Sequence, residues 1–212
     1  MPRARRSRDY QTNVFINCPF DNAYERLFRC VVFTTIHCGF RARCAKEIDD
    51  SSQIRIEKIL GIIEECRLSI HDLSRTELDA ETRLPRFNMP LELGLFLGAK
   101  RFGDRLQSRK VCLIFDRRRD RYQKFISDIA GQDIRAHLRD ETTLISATRD
   151  WLSNYSRRQL PGGGHIARRY GKFKSELRPL CRTLRLQVRN LTFNDFNNIA
   201  TGWLIDRPAP AD

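Results

Sequence analysis

The seven cysteines of this 212-residue chain include no CxxC pair, and their number is odd. A disulfide framework and a zinc knuckle are both excluded by that spacing, and cysteines embedded in apolar segments read as reduced, buried thiols. The four histidines stand singly without metal-ligand spacing, so no metal is expected. No apolar run approaches ~18 residues, which excludes a membrane-spanning helix. The charged start MPRARRSRDY is followed by no apolar stretch, so a secretory leader is not expected and a cytoplasmic location is. The glycine run Gly162-Gly163-Gly164 follows no strand and lacks the Lys-Ser/Thr of a phosphate loop; it reads as a plain turn.

What is present is a globular composition, 41% hydrophobic and 31% charged, in a chain long enough to bury one core without staples. The formal charge of +13 is unevenly placed. Residues 1–100 carry 16 Lys/Arg against 14 Asp/Glu, an excess of +2, and residues 101–212 carry 23 against 12, an excess of +11. Such a surface permits an anionic nucleotide, an acidic partner or a nucleic acid. No RNP, zinc-finger or helix-turn-helix pattern accompanies the charge, so a nucleic acid is permitted but not favoured.

Along the chain, strand and helix signals alternate. Val14–Asn17 is a β-branched and aromatic run that ends at Cys18-Pro19. From Asp21, Tyr24, Leu27, Phe28, Val31, Val32 and Thr35 recur at helical spacing until Gly39. A short strand over 41–45 precedes an amphipathic helix over 54–66, with Ile56, Ile59, Leu60 and Ile63 on its inner face. Ser69–Leu73 is the third strand, and a long polar loop over 74–87 follows it. The next helix starts at Asn88-Met89-Pro90, with Asn88 as its cap. Val111–Phe115 is the clearest buried strand. Helices at 120–130, 141–155 and 166–182 and a strand near 134–138 complete the pattern. The expected organisation is a basic tail (1–12), an α/β domain (13–155) and a helical C-terminal extension (156–212) joined at SRRQLPGGGH. The fold expected is a flavodoxin-like three-layer sandwich around a mostly parallel sheet of about five strands. Ligands of such sheets sit beyond the carboxyl ends of the strands, which points to the loops after 17, 73 and 115.

Asn17 closes the first strand, Asp72 closes the third, and Glu92 sits near the start of the helix after the long loop. In the first helical turn the dipole would hold Glu92 ionised, able to bond sugar hydroxyls or stabilise a developing cation. Cys18 with His71 as base is the competing nucleophile, but no cysteine-hydrolase signature surrounds it, and His71 reads as a satisfied core histidine.

The segments VFINCPF, CRLSIHDLSR, FNMPLELGLFLGAK and KVCLIFD, in that order, resemble the nucleoside 2-deoxyribosyltransferase-like and TIR-like superfamily over residues 14–116. The resemblance implies that Glu92, in the ELG motif with Leu93 and Gly94, is the catalytic carboxylate, and that Asp72 positions a ribose hydroxyl or base. It places Asn17 and Phe20 in the pocket, Phe20 able to stack on a flat ring. Ser74, Arg75, Arg86 and Asn88 flank the same loop as substrate-binding candidates, the arginines facing a pyrophosphate. Where deoxyribosyltransferases carry an Asp-Gly pair before the glutamate, this chain has Arg86-Phe87-Asn88-Met89-Pro90, which counts against deoxynucleoside transfer. The implied function is a TIR-like enzyme that cleaves or rearranges the nicotinamide–ribose bond of NAD, with NAD as substrate and no further cofactor, acting as a homo-oligomer in bacterial antiviral defence. The alternatives are a nucleoside or nucleotide N-glycosidase or deoxyribosyltransferase, and a non-catalytic module that binds a nucleotide or a partner protein.

Overall fold

The computed structural model describes residues 9–78, 81 and 83–208; the first eight residues of the expected basic tail lie outside that range. Five strands form one all-parallel sheet in the order β2-β1-β3-β4-β5: β1 Asn13–Asn17, β2 Arg41–Arg43, β3 Leu68–Asp72, β4 Val111–Asp116 and β5 Ile134–Ala136. In the register Asn17 stands opposite His71, and Asp72 opposite Phe115. The order reverses between β1 and β3, so the crevice where ligands of doubly wound sheets bind opens between Asn17 and Asp72.

Side-chain alternation divides the core into two layers. Val14, Ile16, Leu68, Ile70, Leu113 and Phe115 face α1 (Glu25–His37), α4 (Glu141–Ser153) and the C-terminal helices α5 (Gly163–Thr183) and α6 (Phe193–Asp206). Phe15 on the other face packs with Ile59, Ile62 and Ile63 of α2 (Arg55–Glu65) and Phe96 of α3 (Asn88–Phe102). Leu93 of α3 closes that layer against Leu73, Ile114, Tyr122 and Ile134. The inner face of α2 is thus Ile59, Ile62 and Ile63, whereas Ile56 and Leu60, expected inside, are exposed. Lys110, fully buried above the Phe96 ring, donates to the carbonyls of Ile63 and Cys66 and so closes the end of α2.

Two further boundaries differ from the sequence pattern. The segment 120–130 makes two 3-10 turns, Arg121–Lys124 and Ser127–Ile129, instead of one helix. Asp120 enters it at φ 59°, and Arg121 is drawn back to Asp116, which breaks the helical path at its start. The C-terminal extension is part of the main core. Phe33 of α1 stacks on Phe173 at 5.1 Å and meets Tyr170 and Trp203 at 5.2 and 6.0 Å, each burial contributing about 1.5–3 kcal/mol. The expected joint at 156–165 is pinned by Arg149, which donates to the carbonyls of Leu160 and Pro161 at 2.6 and 2.7 Å. Gly163 is required there for packing: a Cβ on it would stand 2.5 Å from the Ser146 hydroxyl of α4. Among the described residues no helix is long and apolar enough to cross a membrane.

Candidate functional site

The carboxyl end of β1 is tied to the start of α3 by one side chain. Asn17 Nδ2 donates to the carbonyl of Met89 at 3.0 Å and to His71 Nδ1 at 2.9 Å. Since Met89 O can only accept, the amide nitrogen faces it and the oxygen points away. That oxygen is buried and has no donor among the described residues. His71 accepts at Nδ1, so its proton sits on Nε2, where it donates to Ser69 Oγ at 2.9 Å. Burial, then the Lys110 charge, pushes the imidazole down to about 3. It is a neutral, satisfied core histidine between Phe15 and Phe96.

Glu92 is the fifth residue of α3, one turn beyond the Met89 carbonyl that Asn17 holds, and is 4% exposed. Asn88, expected as the cap, is instead the first helical residue, and Phe87 precedes it without a side-chain cap. Glu92 therefore lies beyond the first turn, where the dipole acts most strongly. Burial dominates instead: it pushes the carboxyl up to about 7, against the opposing charge of Arg55. The expectation of a glutamate held fully ionised by the helix is corrected accordingly.

Asp72 takes a different position from the one expected. Successive residues of a strand face opposite sides, so when Asn17 and His71 look toward α3, Asp72 looks toward α1. There its Oδ2 accepts from the hydroxyl of Tyr24, and its Oδ1 accepts from the amide of Ser74 at 2.8 Å. His137 Nε2 lies 3.1 Å from Oδ2, off the line of a full hydrogen bond. The amide of Arg139 donates to His137 Nδ1 at 2.9 Å, which leaves the ring proton on Nε2, facing Asp72. Leu138 and Arg139 adopt left-handed φ values of 52° and 60° to make that turn, a strain of about 1–3 kcal/mol per residue that the buried contact offsets. The structure thus brings Asn17 and Glu92 to one layer and engages Asp72 in the other, where it joins three loops.

Among the remaining candidates, Phe20 is half-buried with Phe28 at its edge at 5.3 Å and Lys46 Nζ over its ring at 4.7 Å. The backbone of Ser74 is held by Asp72. Arg75 pairs with Asp21 at 3.1 Å and faces Glu77 at 3.7 Å. Arg86 and Asn88 are exposed. Cys18 sits in the α1 layer, across the sheet from His71, and burial with the Asp72 charge holds its thiol well above the usual range. A Cys18–His71 pair is therefore excluded by geometry.

Several participants lay outside the sequence reading. Tyr24 and His137 converge on Asp72 from α1's approach and from beyond β5, elements far apart in the chain. Arg121 clamps the loop after β3: it pairs with buried Asp116 at 2.6 Å and donates to Thr76 Oγ1 at 2.6 Å and to the Leu73 carbonyl at 3.0 Å. Arg117 and Arg139 join Arg75 around Glu77, at 3.6 and 4.0 Å. The RRRDR run after β4 was the available signal for this basic rim. No group of acids, histidines or cysteines among the described residues forms a metal-binding cluster. No protein-family model matches the chain, and no curated protein and no solved structure matches it.

Proposed function

We propose that this protein cleaves or rearranges the N-glycosidic bond of a nucleotide, NAD foremost, with Glu92 as the reacting carboxylate. The observation that carries the reading is a carboxyl group on a residue only 4% exposed, raised to about 7 by burial, on the helix that Asn17 ties to the carboxyl end of a doubly wound sheet. Sugar hydroxyls would donate to Glu92 and to the Asn17 oxygen, which has no donor among the described residues. Departure of a neutral nicotinamide leaves positive charge on the ribose, which a neighbouring carboxylate stabilises. A carboxyl raised to about 7 by burial is partly protonated near neutrality, and a cationic pyridinium beside it favours the ionised form. Arg75, Arg117 and Arg139, now gathered on Glu77, are the groups suited to a pyrophosphate. Asp72 is a positioning residue: it fixes the loop that carries Ser74 and Arg75.

The test is incubation of concentrated protein with NAD and a panel of nucleosides and deoxynucleosides, products being read by mass spectrometry. Release of nicotinamide supports the proposal. Cleavage restricted to nucleosides would move the substrate to the glycosidase class with the same glutamate. No turnover of any member by assembled protein would overturn it.

A further inference from the structure

At the amino-terminal side of the sheet, far along the chain from Glu92, a cavity of about 790 Å³ opens between the end of α1, the 158–162 segment and helices α5 and α6. Four basic side chains line it, His37, Arg158, His165 and Arg169, and among the described residues no Asp or Glu does. Three of them bring buried nitrogens with no hydrogen-bond partner among the described residues: His37 Nδ1, His165 Nε2 and Arg169 Nε. His37 itself is only 8% exposed. The two other Arg169 nitrogens are engaged by the carbonyls of Arg207 and Pro208, so Nε–H is the donor left over. An arginine nitrogen can only donate, so whatever completes this site must bring acceptor oxygens.

Further features point the same way. Gly162 and His165 line the cavity, so the first turn of the 21-residue helix α5, its positive end, forms part of the wall. Burial first, and then the facing charges of Arg169, His165 and Arg158, keep His37 neutral down to about 4. Ile36, Leu160 and Leu204 supply an apolar wall beside the basic groups, and the volume suits a small organic molecule rather than a bare ion.

We infer that this cavity is a second ligand site, which binds an organic phosphate monoester of about mononucleotide size through Arg169, His165, His37 and the start of α5. The groups come from two elements, His37 from α1 and His165, Arg169 and the first turn from α5, and the three oxygens of a phosphate can meet all three side chains where a planar carboxylate brings only two. The site is independent of the glutamate reading and stands or falls without it.

The experiment is titration of the full chain with adenosine monophosphate, inorganic phosphate and adenosine, followed by tryptophan fluorescence, because Arg169 stands 5.1 Å over the Trp203 ring. Adenosine monophosphate is expected to give a saturable change, inorganic phosphate a weaker one and adenosine none. His165→Gln and Arg169→Gln should each weaken binding about tenfold or more, and Glu92→Gln should leave it unaltered. If Arg169→Gln does not fold, His165→Gln, on the first turn of α5, decides the matter. Absence of any saturable signal into the millimolar range, or binding unchanged by His165→Gln, overturns the inference. Binding lost in Glu92→Gln but kept in His165→Gln would place the nucleotide at the other site and overturn it equally.

Discussion

Replacing Glu92 by glutamine should abolish the loss of stability that the wild type shows between pH 5 and pH 8, while removing its activity. The carboxyl group has an ordinary value of 4.5 and is raised to about 7 in the fold, chiefly by burial. Between those values the native state holds a proton that the unfolded chain has released, so stability falls as pH rises through that window. Below the window the neutral acid costs no charge burial, and above it the full penalty persists. A shift of that size corresponds to at most about 3 kcal/mol. Glutamine keeps the shape and never ionises, so the wild type should lose about 1–3 kcal/mol between pH 5 and pH 8 that the variant retains. The amide itself needs partners, which adds a cost independent of pH and leaves the difference between the two pH values intact. Urea unfolding of both proteins at the two pH values measures it. If the two proteins lose stability in parallel across that window, Glu92 titrates like an exposed acid and the account of its burial is wrong.

Other consequences follow from the same geometry. Tyr24→Phe removes the hydroxyl from buried Asp72 and should cost about 1–3 kcal/mol in denaturant unfolding. Arg121→Ala leaves Asp116 buried without its cation; a loss of about 3 kcal/mol or more is expected, with faster amide exchange over residues 73–78. Truncation after residue 156 strips Tyr170, Phe173 and Trp203 from Phe33, so the shortened chain should fail to give a cooperative thermal transition. The thiols of Cys38, Cys44 and Cys66, pushed up to about 12 by burial, should react with a thiol reagent only after denaturant is added.

The order of strands and helices was readable because each strand is a short apolar run bounded by turns, as Val14–Asn17 and Val111–Phe115 show, and because parallel sheets bury both faces. Face assignment was less readable. On α2 the pattern offered Ile56, Ile59, Leu60 and Ile63, and only the position of Phe15 and Phe96 decides that Ile59, Ile62 and Ile63 turn inward. Thr192 and Asp195 form a reciprocal capping box that opens α6. At the candidate site, the closeness of Asn17 to the start of α3 was legible from their places at strand and helix ends. The engagement of Asp72 was not, because Tyr24 looked like one more apolar position of α1 and His137 like an isolated histidine. Their convergence depends on strand register and on the strained turn at Leu138-Arg139, which no local pattern encodes.

The central claim is that Glu92 reacts as a carboxylate. It is tested most directly by the pH profile of kcat/KM for nicotinamide release from NAD, measured on assembled wild-type protein and on folded Glu92→Gln. The account predicts that the wild-type rate rises with pH and levels off above about 7, the free-enzyme value of Glu92. It also predicts a loss of two or more orders of magnitude in the variant, about 2.7 kcal/mol or more in barrier. Full turnover by a folded Glu92→Gln protein would contradict it.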